Sequence, residues 1–171
     1  MNTSGSDLTG IYVGLAADLD VGIAGNDRAG YDAARRLTYV YETGTVTNPN
    51  YYGMTALSAE LSGHAAWSAA NATSDTGQAL LYQRLATLGT VPTNASDVRS
   101  IIGTGPHTIV AGRNVRVLFA LVAGASLSEL QANTDAALAI RFNLSPTVIS
   151  IRDVPDDQGG HVTLRWNLAE V

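Results

Sequence analysis

The chain has 171 residues, 46% of them apolar, with a formal charge of −5 and no cysteine. That length holds one ordinary domain with a substantial core. The acidic balance disfavours non-specific attraction to nucleic acid or anionic lipid, and the lack of cysteine excludes disulfide frameworks, thiolate metal sites and cysteine nucleophiles.

All positive charges are arginine. No apolar run reaches the roughly 20 residues that span a bilayer. The opening Met1-Asn2-Thr3-Ser4-Gly5-Ser6 lacks the charged-then-apolar pattern of a signal peptide, so a secreted parent would leave this chain as a mature or excised form.

In chain order, residues 10–20 alternate Ile11, Val13 and Leu15 with Tyr12, Gly14 and Ala16, the period of a strand with one buried face. Residues 21–30 read as a Gly/Asn/Asp loop. Leu37 to Tyr41 is β-branched and aromatic, a second strand. Residues 43–50 are turn-like, and 51–57 and 65–70 read as shorter strands. Leu81, Leu85 and Leu88 then recur at helical spacing, predicting a helix over 75–89 with Ser74 or Asp75 as cap and Gly89 at its end.

Gly103-Thr104-Gly105-Pro106 reads as a strand-to-strand turn; no helix or lysine follows to make it a phosphate cradle. Val115 to Ala123 is nearly continuous in apolar residues, which predicts a central strand buried on both faces. Ser126 and Glu129 form a capping box. The helix they open runs to about Asn143, with Leu127, Leu130, Ala137, Ile140 and Leu144 as its buried stripe. Pro146 ends it. Residues 148–151 form a strand, 153–160 a polar turn, and 161–166 a last strand with Val162, Leu164 and Trp166 on one face. Strands clustered early and late favour a mainly β fold, a jelly-roll-like antiparallel β-sandwich with two short helices.

Tyr12 to Asp20 resembles a "YVGLFxDWDI" strand of large secreted bacterial proteins, many of which carry subtilisin-like protease, fibronectin-type or sorting domains. Tyr31 to Tyr41 is similar to the segment that follows there. Gly105 to Ile109, Gly112 and Val115 to Leu130 are similar to its "GPFxLxxGxxxxVxFALVAGxSLxxL" region. The departure is Leu19, where an aromatic is common. Ile151 to Gly160 followed by Val162 to Trp166 resembles the opening two strands of a fibronectin type III-like module. The resemblance implies an extracellular accessory sandwich over residues 1–145. Residues 146–171 would then begin such a module, or pair with the sandwich or with a neighbouring copy.

Asp18, Asp20, Asn26, Asp27 and Asp32 fall within fifteen residues. Calcium takes six to eight hard oxygen ligands, which a strand end and an Asp/Asn loop can supply; the same residues also cap turns. Asp153, Asp156 and Asp157 form a second acidic turn. His64, His107 and His161 are far apart, and no nucleophile signature accompanies them. Tyr12, Tyr39, Tyr41, Tyr51, Tyr52 and Trp67 suit either cross-strand packing or a sugar-binding face. In Tyr51-Tyr52, adjacent strand residues point opposite ways, so one of the pair faces out.

These features lead to three expectations. The first is a non-catalytic structural module that contacts other copies or adjacent domains by strand pairing, with Val162, Leu164 and Trp166 as the assembly residues. The second is a polysaccharide or cell-surface binding module using Tyr51 and Tyr52. The third is a small metal-assisted hydrolase.

Overall fold

The computed structural model describes residues 1–69, 78–143, 147–153 and 162–167. The fold is mainly β, with two antiparallel sheets packed face to face and two helices, as the sequence predicts. The chain divides into two compact units, Met1–Asp135 and Ala136–Val171.

In the first unit, one sheet has the order β1-β6-β5, built from β1 (Leu8–Asp18), β6 (Val98–Ile109) and β5 (Leu61–Ser68). The other has the order β2-β3-β4-β7, from β2 (Asp27–Asp32), β3 (Leu37–Glu42), β4 (Tyr51–Ala56) and β7 (Phe119–Gly124). Val40, Met54 and Ile102 are fully buried. A cluster of Val21, Ala29, Val40, Ala66 and Val98 draws on both sheets, with Leu19 and Tyr52 packed against it. The rings of Tyr31 on β2 and His64 on β5 stack at 3.6 Å between the sheets.

β1 keeps its predicted alternation, and its partner is the strand the sequence hides. β6 pairs with β1 on one side and β5 on the other. Gly103 to Pro106, expected as a turn, lies inside it. Between the pairs Ile11↔His107 and Val13↔Thr104 the register slips by one residue on β6. A bulge is where a strand tolerates a proline, because the missing N–H falls outside the ladder.

The outer face of this sheet carries a row of three glycines in register, Gly14↔Gly103↔Gly63. Helix α1 (Gln78–Ala86) lies on that row. A Cβ on Gly103 would sit 2.7 Å from the Leu85 carbonyl oxygen, and one on Gly63 2.6 Å from the Leu85 carbonyl carbon. The Ser62 hydroxyl donates to the Leu85 carbonyl at 2.6 Å, satisfying one acceptor of the last helical turn. The helix ends earlier than the expected Gly89. Leu88 lies past its end, 61% exposed, and Gly89 donates its N–H to the His64 carbonyl at 2.8 Å. The expected caps Ser74 and Asp75 lie outside the described residues.

Two more expectations are corrected in the second sheet. The loop expected over 21–30 gives way to β2 from Asp27. Its sequence, DRAGYD, carries little apolar signal, and the Tyr39 ring lies over Gly30 where a Cβ would stand. The apolar run 115–123 is not a central strand. β7 starts at Phe119 and forms the edge of its sheet, leaving Leu121 67% exposed. A continuous apolar run carries no period that tells an edge from a centre.

Helix α2 (Leu127–Asn143) starts with the expected box. The Ser126 hydroxyl accepts the Glu129 N–H at 3.2 Å, while the Glu129 carboxylate reaches one residue further back, to the Ala125 N–H at 3.0 Å. Leu130 and Thr134 are its fully buried residues, with Leu130 against Gly124 of β7. Thr134 donates its hydroxyl to the Leu130 carbonyl at 2.7 Å, whereas Ile140, expected in the buried stripe, is 42% exposed. Leu144 lies outside the described residues.

In the second unit, β8 (Thr147–Asp153) and β9 (Val162–Asn167) form a two-stranded antiparallel sheet of their own. Val148 is opposite Trp166, Ile151 opposite Leu164 and Asp153 opposite Val162. The expected turn between them lies outside the described residues beyond Asp153.

Candidate functional site

Three segments converge at one end of the sandwich: the end of β1, the start of β2 and the approach to β6. Asp18, Asp20 and Asp97 each bring a carboxylate oxygen there, and the three oxygens lie within 4.8 Å of one another. Leu19 and Val21 alternate with Asp18 and Asp20 and pack into the core, which fixes the segment at and just past the end of β1 that presents the two aspartates. Arg99 donates from Nε to Asp18 at 3.1 Å.

Asp27, the first residue of β2, is 0% exposed. One carboxylate oxygen accepts the Val21 N–H at 3.2 Å, and its backbone carbonyl accepts the Ser96 N–H at 2.9 Å. Asp27 is therefore tied to the neighbours of both Asp20 and Asp97. Its other oxygen, Oδ1, has no hydrogen-bond partner among the described residues, and neither does the buried Oδ1 of Asp97. Burial pushes the Asp27 carboxyl up to about 6; the Val21 N–H pulls the other way, and the charges of Asp20, Glu42 and Asp97 add to the rise.

Glu42 closes the loops around this end. It accepts N–H bonds from Ile23 at 2.9 Å and Asn48 at 2.7 Å, and the Thr47 hydroxyl at 3.1 Å. Burial works to raise this carboxyl, but those donors outweigh it and hold it below its ordinary value.

The five residues expected as one site are thus divided. Asp18 and Asp20 meet, while Asp27 lies outside their group with Asp97 and is tied to it only through the Val21 and Ser96 N–H groups. Asn26 turns its backbone carbonyl to the Thr43 N–H and hydroxyl, both at 2.9 Å. Asp32 stands at the far end of β2, where it pairs with Arg35 at 3.0 Å and accepts from Gln131 at 2.8 Å. A six-residue strand separates it from Asp27, roughly 17 Å at 3.3 Å per residue. Asp97 was not foreseen. The signal that finds it is the pairing of Asp18 with Arg99 across β1 and β6, which stays hidden until β6 is recognised.

The tyrosines split by strand parity. Tyr52 faces inward onto the core cluster. Tyr51 faces outward and stacks on Tyr41, with ring centroids 5.0 Å apart and planes 13° apart. Tyr39 joins them at 6.0 and 6.3 Å. The three rings are half-buried on the outer face of the four-stranded sheet, and Gly53 opposite Tyr39 leaves them room.

The histidines serve separate places. His64 is 4% exposed, and burial lowers its pKa, so it stays neutral against Tyr31. His107 Nε2 lies 2.9 Å from the Thr104 hydroxyl. His161 lies outside the described residues. Among the described residues, the acidic group contains no histidine. No helix is long and apolar enough to cross a membrane. Comparison with protein-family models, characterised proteins and solved structures finds no match.

Proposed function

We propose that this chain is a non-catalytic structural module of a larger secreted bacterial protein, and that it contacts other copies or an adjacent domain by strand pairing. The observation that supports this most is the separate β8–β9 sheet. Two strands alone are marginal in water, because they cannot bury a face and leave both outer edges unpaired. A further strand, supplied by another copy or a neighbouring domain, adds main-chain hydrogen bonds in register. Val162, Leu164 and Trp166 on β9 are the residues assigned to that contact. The extracellular setting rests on the resemblance of residues 8–145 to secreted accessory domains.

The expected result is self-association of the full chain, read by light scattering across a concentration series. Thr163→Pro, which removes a β9 N–H, should shift the chain to monomer while the sandwich keeps its far-ultraviolet spectrum. A chain that is monomeric throughout, with the proline variant indistinguishable from it, would defeat the reading.

The outward tyrosine stack favours a second reading, a polysaccharide-binding face. Flat stacked rings present apolar surface beside hydroxyls, which suits the faces of sugar rings. Tyr51→Ala should then reduce retention on insoluble polysaccharides several-fold, whereas inward Tyr52 should act through stability instead. Retention on no polymer retires this reading. A metal-assisted hydrolase has less support, because the clustered groups are carboxylates to which no nucleophile is assigned.

A further inference from the structure

We propose that β7 is the edge that receives β9 of a second copy, which joins the four-stranded sheet as a further strand. This rests on the strand-pairing function proposed above and names the surface on which that pairing occurs.

The other edge strands of the sandwich are guarded against such addition. β2 carries Asp27, Arg28 and Asp32, and its Asp27 carbonyl accepts the Ser96 N–H at 2.9 Å. β5 is covered by a later segment, where the Gly89 N–H donates to the His64 carbonyl at 2.8 Å and the Thr90 carbonyl accepts the Ala66 N–H at 3.3 Å. β1 slips twice in its register with β6, and bulges turn an edge out of line. β7 has none of these devices. Its sequence, FALVAG, holds no charge and no proline, and its register with β4 runs unbroken from Phe119 to Gly124.

The ladder shows which groups that edge offers. The Leu57 N–H donates to the Leu118 carbonyl at 2.8 Å, one step before β7 begins. Bonded pairs alternate along an antiparallel ladder. Ala120, Val122 and Gly124 therefore bond to β4, while Phe119, Leu121 and Ala123 turn their N–H and C=O groups to the free edge. The Ala123 carbonyl accepts from Asn133 Nδ2 at 2.8 Å. Among the described residues, no turn or side chain takes the Leu121 groups.

The side chains there are uncovered too. Leu121 is opposite Met54 and Ala123 opposite Tyr52, so both lie on the core side of the sheet. Met54 is fully buried, yet Leu121 is 67% exposed and Ala123 is exposed. β6 packs over β2, β3 and β4, and the inner face of β7 projects past it. With Leu19 and Tyr52, these two residues line a hollow of about 180 Å³, smaller than the roughly 300–1,000 Å³ of small-molecule sites. That size and apolar lining suit the side chains of an added strand.

β9 fits the edge. Both strands have six residues. Within its own chain β9 pairs with β8 alone, which leaves its other edge open. Strand parity puts Val162, Leu164 and Trp166 on one side and Thr163 and Arg165 on the other. With the first three on the core side, they come beside Leu121 and Ala123. Arg165 then lies on the outer side, where the first turn of α2 carries Glu129 over Gly124. Neither β7 nor that turn holds a positive charge to oppose it.

Light scattering of the full chain across a concentration series tests the assignment. Leu121→Lys, which sets a charge on the core side of the edge, should be monomeric where the wild type associates. Leu121→Pro should behave alike, because the N–H it removes faces the free edge and takes nothing from the β4 ladder. Leu88→Lys, at a leucine of similar exposure off this edge, should associate as the wild type does. The decisive arm mixes two variants. Leu121→Lys keeps β9 intact and Thr163→Pro keeps β7 intact, so each should be monomeric alone and the two together should form a one-to-one complex. Should the Leu121→Pro variant lose the far-ultraviolet spectrum of the sandwich, Leu121→Lys and the mixture decide. Leu121 variants that associate like the wild type while Thr163→Pro does not overturn this inference and leave the strand-pairing function standing. A mixture that stays monomeric also overturns it, because β7 and β9 would then belong to different contacts. A wild type that never associates removes both.

Discussion

Gly103→Val should lower the unfolding free energy by about 3 kcal/mol, the upper end of what an overpacked core costs. Gly103→Ala should cost about 1–2 kcal/mol by the same mechanism. The reason lies in what surrounds the missing side chain. A Cβ there would meet the Leu85 carbonyl oxygen at 2.7 Å and the Leu85 Cα at 2.8 Å, both main-chain atoms that no rotamer change can move. Helix α1 must therefore lift off the three-stranded sheet. Urea unfolding measures the loss, and the indole of Trp67 reports the lifting. The Arg84 guanidinium of α1 lies over that ring, 3.7 Å from its centroid, so its fluorescence should change before the sandwich melts. An unchanged urea midpoint for the valine variant would show that the helix does not dock as described.

The contribution of Asp27 to stability should fall as pH climbs from about 4 to about 6, by up to about 3 kcal/mol, and Asp27→Asn should remove that fall. The Asp27 carboxyl titrates at about 6 in the folded chain against an ordinary 3.8. Between those values the folded chain keeps a proton that the unfolded chain has released. Raising the pH through this window therefore favours the unfolded state, and above it no further change comes from this group. Asp32 and Glu42 act with the opposite sign. Burial raises both carboxyls, but their hydrogen bonds outweigh it and hold them low. They stabilise the fold once ionised, and that contribution fades as pH drops below the ordinary carboxylate range. The wild-type-minus-variant difference isolates Asp27 from these two. Urea midpoints between pH 4 and 8 measure it, and parallel curves for the two proteins would contradict the assignment.

Much of the sandwich was legible one strand at a time. Leu37 to Tyr41 declares itself by β-branched and aromatic residues, and Ser126 with Glu129 by reciprocal capping. What stayed hidden depends on more than one element. Gly103, Gly105 and Pro106 signal a turn when read alone, yet here they are a smooth floor and a bulge in the longest strand of the fold. The requirement for Gly103 comes from helix α1, earlier in the chain, and that for Gly105 from the Ile11 carbonyl and the Tyr12 ring on β1. The run 115–123 announces burial but not position, and its strand lies at an edge. For the acidic junction, Asp18, Asp20 and Asp27 were accessible as neighbours in sequence. Sequence distance groups Asp32 with them, because it does not reveal that β2 is a strand that carries Asp32 away. Asp97 carries no such signal, because only the β1–β6 register places it beside Asp18.

The glycine row makes the seat of α1 a fit between main chains. At Gly63 and Gly103 the obstructing atoms are those of the Arg84 and Leu85 backbone, so shortening Leu85 cannot make room for a larger residue in the sheet. Among divergent descendants of this chain, Gly63 and Gly103 should stand still while change accumulates on the helical partner. A compensating pair of substitutions should arise at Gly14, where the helix atoms in the way belong to the Leu85 side chain, and be rare at the other two.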